Sequence, residues 1–148
     1  MKVRGIDVPE DLHVLVEHQV WARLEEPGVA RVGITALGMR LAGEIYMCRP
    51  KSPGSVLVQG QSMAVVELAK SIVSVKSPVG GTVIEVNAEL ARRPEWVHED
   101  PHGRGWLARV QLADFAADAA QLVTGEALGP AMERHAWLNR LGDDDPAA

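Results

Sequence analysis

The stretch Met63-Ala64-Val65-Val66-Glu67-Leu68-Ala69-Lys70-Ser71-Ile72-Val73-Ser74-Val75-Lys76-Ser77-Pro78-Val79-Gly80-Gly81-Thr82-Val83-Ile84-Glu85-Val86 decides the fold. It holds three short apolar runs, Met63 to Glu67, Ile72 to Val75 and Thr82 to Val86. A break at Leu68-Ala69-Lys70-Ser71 separates the first two, and Pro78-Val79-Gly80-Gly81 separates the last two. Short β-branched runs punctuated by Gly and Pro read as strands. Lys70 therefore falls near the tip of a hairpin whose turn type is not legible, because the tip has neither Gly nor Asn. A lysine in such a place is ordinarily a solvated charge. A protruding tip held by two strands is also where a lysine is most exposed to a modifying enzyme and most free to swing.

Upstream the same texture continues. Ser55 to Val58 and Glu44 to Cys48 read as strands, the latter stopped by Pro50-Lys51-Ser52-Pro53-Gly54. Ala36 to Ala42 is long enough for about two turns of helix. Val29 to Thr35 is a strand preceded by a turn at Glu25-Glu26-Pro27-Gly28, where Pro presets φ and Gly accepts a positive one. The alternation Leu12, Val14, Val16 reads as a strand, although Pro9-Glu10-Asp11 equally opens a short helix. Downstream, Asn87 caps a short helix from Ala88 to Arg93 that Pro94 ends. The loop His98 to Gly105 leads into a last strand, Trp106 to Leu112, with Trp106 expected to be a buried structural indole. Beyond Asp114 the spacing turns helical: Phe115, Ala119, Leu122 and Val123 up to Gly125, then Leu128, Ala131, Met132, His135, Leu138 and Leu141 on one face. Asp143-Asp144-Asp145-Pro146 reads as a frayed tail. The body is mostly β with helices at its edges, organised as residues 1–125 followed by a C-terminal helix and acidic tail, 126–148.

The 148 residues suit one domain with a real core, and 47% hydrophobic with 24% charged residues is a globular composition. A formal charge of −5 argues against a partner that needs a cationic surface, so neither nucleic acid nor a membrane is expected. A single cysteine, Cys48, excludes an internal disulfide framework. The N-terminus has no apolar signal-like core, and no later run approaches a membrane span. A soluble, cytoplasmic protein is the expectation.

Motifs for catalysis are wanting. Cys48 lies in an apolar strand with no neighbouring histidine, the setting of an inert packing thiol. His98-Glu99-Asp100-Pro101-His102 can be drawn as a metal site, but its histidines flank a proline in a loop and match no coordination spacing. Gly80-Gly81 and Gly103-Arg104-Gly105 lack the spacing and strand-to-helix context of a phosphate loop.

An ordered set of motifs carries a resemblance. Val32-Gly33-Ile34-Thr35, Leu41-Ala42-Gly43-Glu44-Ile45, Pro50-Lys51-Ser52-Pro53-Gly54, Glu67-Leu68-Ala69-Lys70-Ser71, Ser77-Pro78-Val79-Gly80-Gly81-Thr82-Val83, then Asn87, Leu90, Pro94 and Glu99-Asp100-Pro101-His102-Gly103-Arg104-Gly105-Trp106 follow one another in order. Over residues 17 to 112 the chain resembles the glycine cleavage system H protein family. The resemblance implies a hybrid barrel-sandwich fold of the lipoyl and biotinyl carriers, with short flanking helices and a helical C-terminal segment. It implies lipoate in amide linkage on Lys70, placed there by a lipoate ligase or lipoyl transferase that Glu67 helps to recognise. A plain surface carboxylate is the other reading of Glu67. It also implies a protein that is not an enzyme but a swinging-arm substrate of others, dihydrolipoyl dehydrogenase among them.

Departures from the family pattern suggest a sister group. Leu37 and Leu41 stand where the family often has histidine, His102 stands for its tyrosine, and Ala69 and Ser71-Ile72-Val73 flank the lysine. Pro9-Glu10-Asp11-Leu12, Val20-Trp21-Ala22-Arg23, Leu41-Ala42-Gly43, Arg49-Pro50-Lys51 and Leu122-Val123-Thr124-Gly125 look like the H-protein-like lipoate-binding proteins of bacterial sulfur oxidation. On that likeness the arm is expected to serve a heterodisulfide-reductase-like complex. The alternatives are the H protein of glycine cleavage, carrying an aminomethyl group among its enzymes, and an unmodified H-like scaffold. A biotin carrier is less apt, since Ala69-Lys70-Ser71 replaces its M-K-M.

Overall fold

The structure is a computed structural model and describes residues 1–139. Its strands are β1 (Lys2–Val3), β2 (Ile6–Asp7), β3 (His13–Leu15), β4 (Val20–Leu24), β5 (Val29–Ile34), β6 (Met47–Pro50), β7 (Val56–Leu57), β8 (Ser62–Glu67), β9 (Ile72–Lys76), β10 (Gly81–Val86) and β11 (Ala108–Leu112). The α-helices are α1 (Ala36–Ala42), α2 (Trp96–Glu99), α3 (Phe115–Ala119) and α4 (Leu128–Leu138), with 3-10 turns at Ala88–Ala91 and Gly125–Ala127. A six-stranded antiparallel sheet runs β3-β4-β5-β11-β10-β7 and a three-stranded one runs β6-β8-β9. The mainly β sandwich with short flanking helices and a C-terminal helix is thus the observed architecture.

Alternation explains the layering, because successive side chains of a strand point to opposite faces. Ala22, Ala30, Val32, Ala108 and Val110 of the large sheet meet Cys48, Ala64, Val66 and Val75 of the small one in a single buried cluster. A second cluster lies outside the sandwich, where Val3, Ile6, Leu12, Trp21 and Leu37 pack against Leu128, Met132 and Ala136 of α4. Trp21 is wholly buried, and its indole lies so close to Gly33 that a β-carbon there would stand 2.6 Å from the ring. Gly33 is therefore a close-approach glycine on the strand opposite Trp21.

Several expected boundaries move. The strand expected over Glu44 to Cys48 is Met47–Pro50 instead, because Gly43 takes φ +85° and residues 44–46 form a loop. Pro50 fits at its end because β6 is an edge strand, where a missing N–H costs no ladder bond. No helix opens at Pro9, and the strand alternative, His13–Leu15, is realised. The helix expected over Ala88 to Arg93 is a 3-10 turn, although Asn87 does cap it, accepting from the Glu89 N–H at 3.3 Å. Trp106 precedes the last strand and is only half-buried, its ring lying under the Arg31 guanidinium at 4.6 Å; the fully buried indole is Trp21. Val123 has left helical geometry and forms an isolated antiparallel bridge with Val14. On α4 the buried stripe is Leu128, Met132 and Ala136 at i,i+4 spacing, so Leu138 is turned outward and 56% exposed. Leu141 and Asp143-Asp144-Asp145-Pro146 lie outside the described residues. Among the described residues no helix is long and apolar enough to cross a membrane.

Candidate functional site

Strands β8 and β9 pair from Ser62 opposite Lys76 to Glu67 opposite Ile72. The Leu68 N–H donates to the Ser71 carbonyl at 2.8 Å, so the hairpin turns on Ala69 and Lys70 alone. Neither residue has positive φ, which is why the tip needs neither Gly nor Asn. Lys70 is exposed and its ammonium has no hydrogen bond or ion pair among the described residues. Glu67 sits on the last strand pair, half-buried, its carbonyl accepting from the Tyr46 N–H at 2.8 Å while its carboxylate has no partner among the described residues. Lys76, the other lysine of the hairpin, is half-buried in β9 and donates to the Ser74 hydroxyl at 3.3 Å. Only Lys70 is presented.

Beside the hairpin runs a groove of about 320 Å³, bounded by Val73 and Val75 of β9 on one side and by Gly38, Met39 and Leu41 of α1 on the other. Ile34, Ile45 and Val66 add to a mainly apolar lining, into which Glu17, His18, Ser74, Lys76 and His135 bring polar groups. Burial lowers the pKa of His135, so its ring, which has no hydrogen-bond partner among the described residues, is neutral near pH 7. Gln19 lines the groove at φ +54° and is buried; its Oε1 accepts from the Thr35 hydroxyl at 2.6 Å. Thr35 in turn caps α1, accepting from the Gly38 N–H at 2.9 Å. The groove is built by a helix and a hairpin distant in sequence. His135 comes from a third element, and no local pattern announces it.

Of the two leucines that stand where the family often has histidine, only one is at the groove. Leu41 lines the groove, whereas Leu37 is fully buried in the second cluster and faces away from it. Two further candidates acquire structural roles. Burial pushes the Cys48 thiol up to about 12, leaving an unreactive packing residue. His98 and His102 spend their Nε2 atoms on backbone, accepting from the Ile45 N–H at 2.8 Å and the Ala36 N–H at 3.0 Å. Among the described residues no three His, Cys, Asp or Glu side chains are grouped to hold a metal.

A β-sandwich with a bare lysine on a tight hairpin beside an apolar groove has the form of a carrier domain. Comparison with known proteins gives its kind. The profile of the glycine cleavage H-protein family matches residues 12–135. The chain is 38% identical over 123 residues to glycine cleavage system H protein 2 of Aquifex aeolicus, covering 83% of this chain and 76% of that one. It is 39% identical over 127 residues to the glycine cleavage system H protein of Thermobifida fusca, covering 82% of this chain and 99% of that one. A crystal structure of a glycine cleavage system H protein from Mycobacterium marinum superposes with a TM-score of 0.68 at 25% identity, covering 90% of this chain and all of the other. The chain belongs to the glycine cleavage H-protein family. H proteins are lipoyl carriers that serve as substrates of partner enzymes and are not themselves catalysts.

Proposed function

We propose that this chain is a lipoyl carrier of glycine cleavage and that Lys70 bears the lipoyl group. The observation that carries the assignment is the presentation of Lys70: exposed, unpaired, and on a two-residue turn beside a groove. The residues fit the group. An amide at Lys70 Nζ removes a charge that has no partner among the described residues, and a mainly apolar groove lining suits the uncharged end of the arm. Bound lipoate supplies a dithiolane able to take up and hand on a one-carbon amine fragment. The chain's part is to hold the attachment point clear of the body and to offer a sheltering groove, which raises the local concentration of the arm at each partner. Glu67, one strand pair below the turn, is proposed as a recognition point for the lipoate ligase or lipoyl transferase. Glycine cleavage enzymes and dihydrolipoyl dehydrogenase are the proposed partners, with the cytoplasm as their setting.

Leu37 and Leu41, apolar where the family often has histidine, are among the departures that point toward the sulfur-oxidation carriers. Leu37 lies in the core as a packing residue, and the relatives named above are glycine cleavage H proteins. Reconstitution separates the two pathways. Lipoylated protein mixed with glycine decarboxylase, aminomethyltransferase and dihydrolipoyl dehydrogenase should form NADH from glycine, and Lys70→Ala should abolish it. No glycine-dependent NADH, together with co-purification of a heterodisulfide-reductase-like complex, would return the arm to sulfur chemistry.

A further inference from the structure

Helix α1 makes one wall of the groove, yet at seven residues it is too short to be stable alone. Both of its ends are held from a single distant segment. At the start, the Ala36 N–H, one of the groups a helix leaves without an internal partner, donates to His102 Nε2 at 3.0 Å. Just past the end, beyond Gly43 at φ +85°, the Ile45 N–H donates to His98 Nε2 at 2.8 Å. The two histidines stand either side of Asp100-Pro101, His98 in α2 and His102 in the loop that follows, which the Gly103 and Gly105 N–H groups close by donating to the Asp100 carbonyl at 3.1 and 2.8 Å. A ring nitrogen accepts only while it carries no proton, so both rings must be neutral with the proton on Nδ1.

We propose that His98 and His102 are positioning residues that clamp α1 at its two ends and so fix one wall of the groove, and that protonating them releases that wall. Calling the groove the arm's shelter rests on the function proposed above; the clamp itself does not. Protonation would set an N–H against an N–H at each contact, losing a hydrogen bond and leaving a backbone donor unpaired. The charged surroundings differ at the two ends. Around His102 stand Arg23 of β4, whose Nη1 donates to the His102 carbonyl at 2.7 Å, and the carboxylates Asp7, Asp11 and Asp100. Burial first, then the Arg23 charge, push the His102 pKa down to about 4 against the pull of those carboxylates. His98 shares an open cleft with Arg40 and Glu44 at the end of α1 and with Glu95 and Glu99 near its own helix.

Amide hydrogen exchange over residues 36–45, corrected for intrinsic rates and referred to the β10–β11 ladder, tests the clamp from pH 8 to pH 4. In unmodified wild-type protein, protection of the Ala36 amide should fall about fivefold by pH 4, where about half the rings are protonated and each of those has lost one hydrogen bond's net worth. His98→Gln/His102→Gln, which retains an acceptor that does not titrate, should keep protection at all pH values. His98→Ala/His102→Ala should lose it at all pH values while β10–β11 stays protected. An α1 profile in the alanine variant that matches wild type, or a glutamine variant with the wild-type pH dependence, would overturn the proposal. So would 15N NMR placing the proton on Nε2 of either ring. Lipoylated protein keeps the two ideas apart. Unchanged α1 exchange on lipoylation, with the clamp behaving as described, would count against the groove as the arm's shelter and leave the clamp standing.

Discussion

The segment that leaves α2 at His98 and loops to Trp106, and the hairpin tip from Leu68 to Ser71, are both connections, and they are opposites. In the loop the polar groups are engaged. His98 and His102 hold α1, the Arg104 N–H donates to the Asp100 carboxylate at 2.9 Å, and Asn87 Nδ2 reaches the Arg104 and Trp106 carbonyls at 2.7 and 2.9 Å. The Trp21 indole N–H adds the Pro101 carbonyl and the Ile34 carbonyl, both at 3.1 Å. At the tip one backbone hydrogen bond closes the turn, and neither the Lys70 ammonium nor the Glu67 carboxylate has a partner among the described residues. A carrier needs both kinds of loop. One fixes the body so that a partner meets a constant surface, and the other leaves its attachment point unencumbered.

The contrast is tested most severely at Trp21, the ring on which the loop, β5 and the second core cluster converge. Trp21→Ala should cost about 3–5 kcal/mol, read from denaturant unfolding, because it removes a fully buried aromatic side chain. It should also loosen the loop, seen as faster amide exchange around Pro101. A loss of under about 1 kcal/mol would mean that the loop is not braced through the indole.

Acid probes the same loop more gently. His102 binds its proton with a pKa near 4 in the folded chain, against 6.5 for an unperturbed histidine. Below pH 6.5 the unfolded chain takes up that proton first, so stability is fully present above pH 6.5 and declines as pH falls toward 4. Allowing for the ring's partial exposure, the decline should amount to about 2 kcal/mol, and His102→Gln should flatten that part of the curve. An identical slope in the variant would remove His102 as the cause.

Trp106 sharpens the comparison because it is the indole that local sequence favours as the buried one. It follows two glycines and precedes a strand, which is all that local pattern offers. The structure instead stacks it half-exposed under Arg31 and reserves the interior for Trp21. Trp106→Ala should therefore cost about 1–2 kcal/mol by thermal unfolding, clearly less than Trp21→Ala. Equal costs would contradict the burial described here.

These particulars mark how far the sequence carries. Strand runs such as Val29 to Thr35, realised as Val29–Ile34, and Met63 to Glu67 were legible because period-two burial leaves a trace in order. The helix Ala36–Ala42 was legible as well, and so were the hairpin and the position of Lys70 at its tip. The ribbon β1–β2 went unread because its turn places Arg4 at φ +52° before Gly5 at φ +80°, a site where Asn or Asp would have been the signal. The burial of Leu37 was hidden because a short helix has apolar residues on more than one face and only tertiary packing chooses between them. The clamp by His98 and His102 was invisible for a similar reason. A histidine that accepts from a backbone N–H more than fifty residues away looks the same in sequence as one on the surface.

The smallest effect on stability belongs to the tip. Lys70→Ala should change unfolding free energy by no more than about 0.5 kcal/mol, since the side chain is exposed and makes no hydrogen bond or ion pair among the described residues. A larger loss would mean that Lys70 is part of the body and not its free end.

That same residue bears the central claim, and intact mass with peptide mapping of protein isolated from its native host tests it most directly. The account predicts one lipoyl addition, located on Lys70 and absent from Lys70→Ala expressed in the same host. A lipoyl mass that persists in Lys70→Ala, a biotinyl mass in its place, or wild-type protein carrying no addition at all would contradict it.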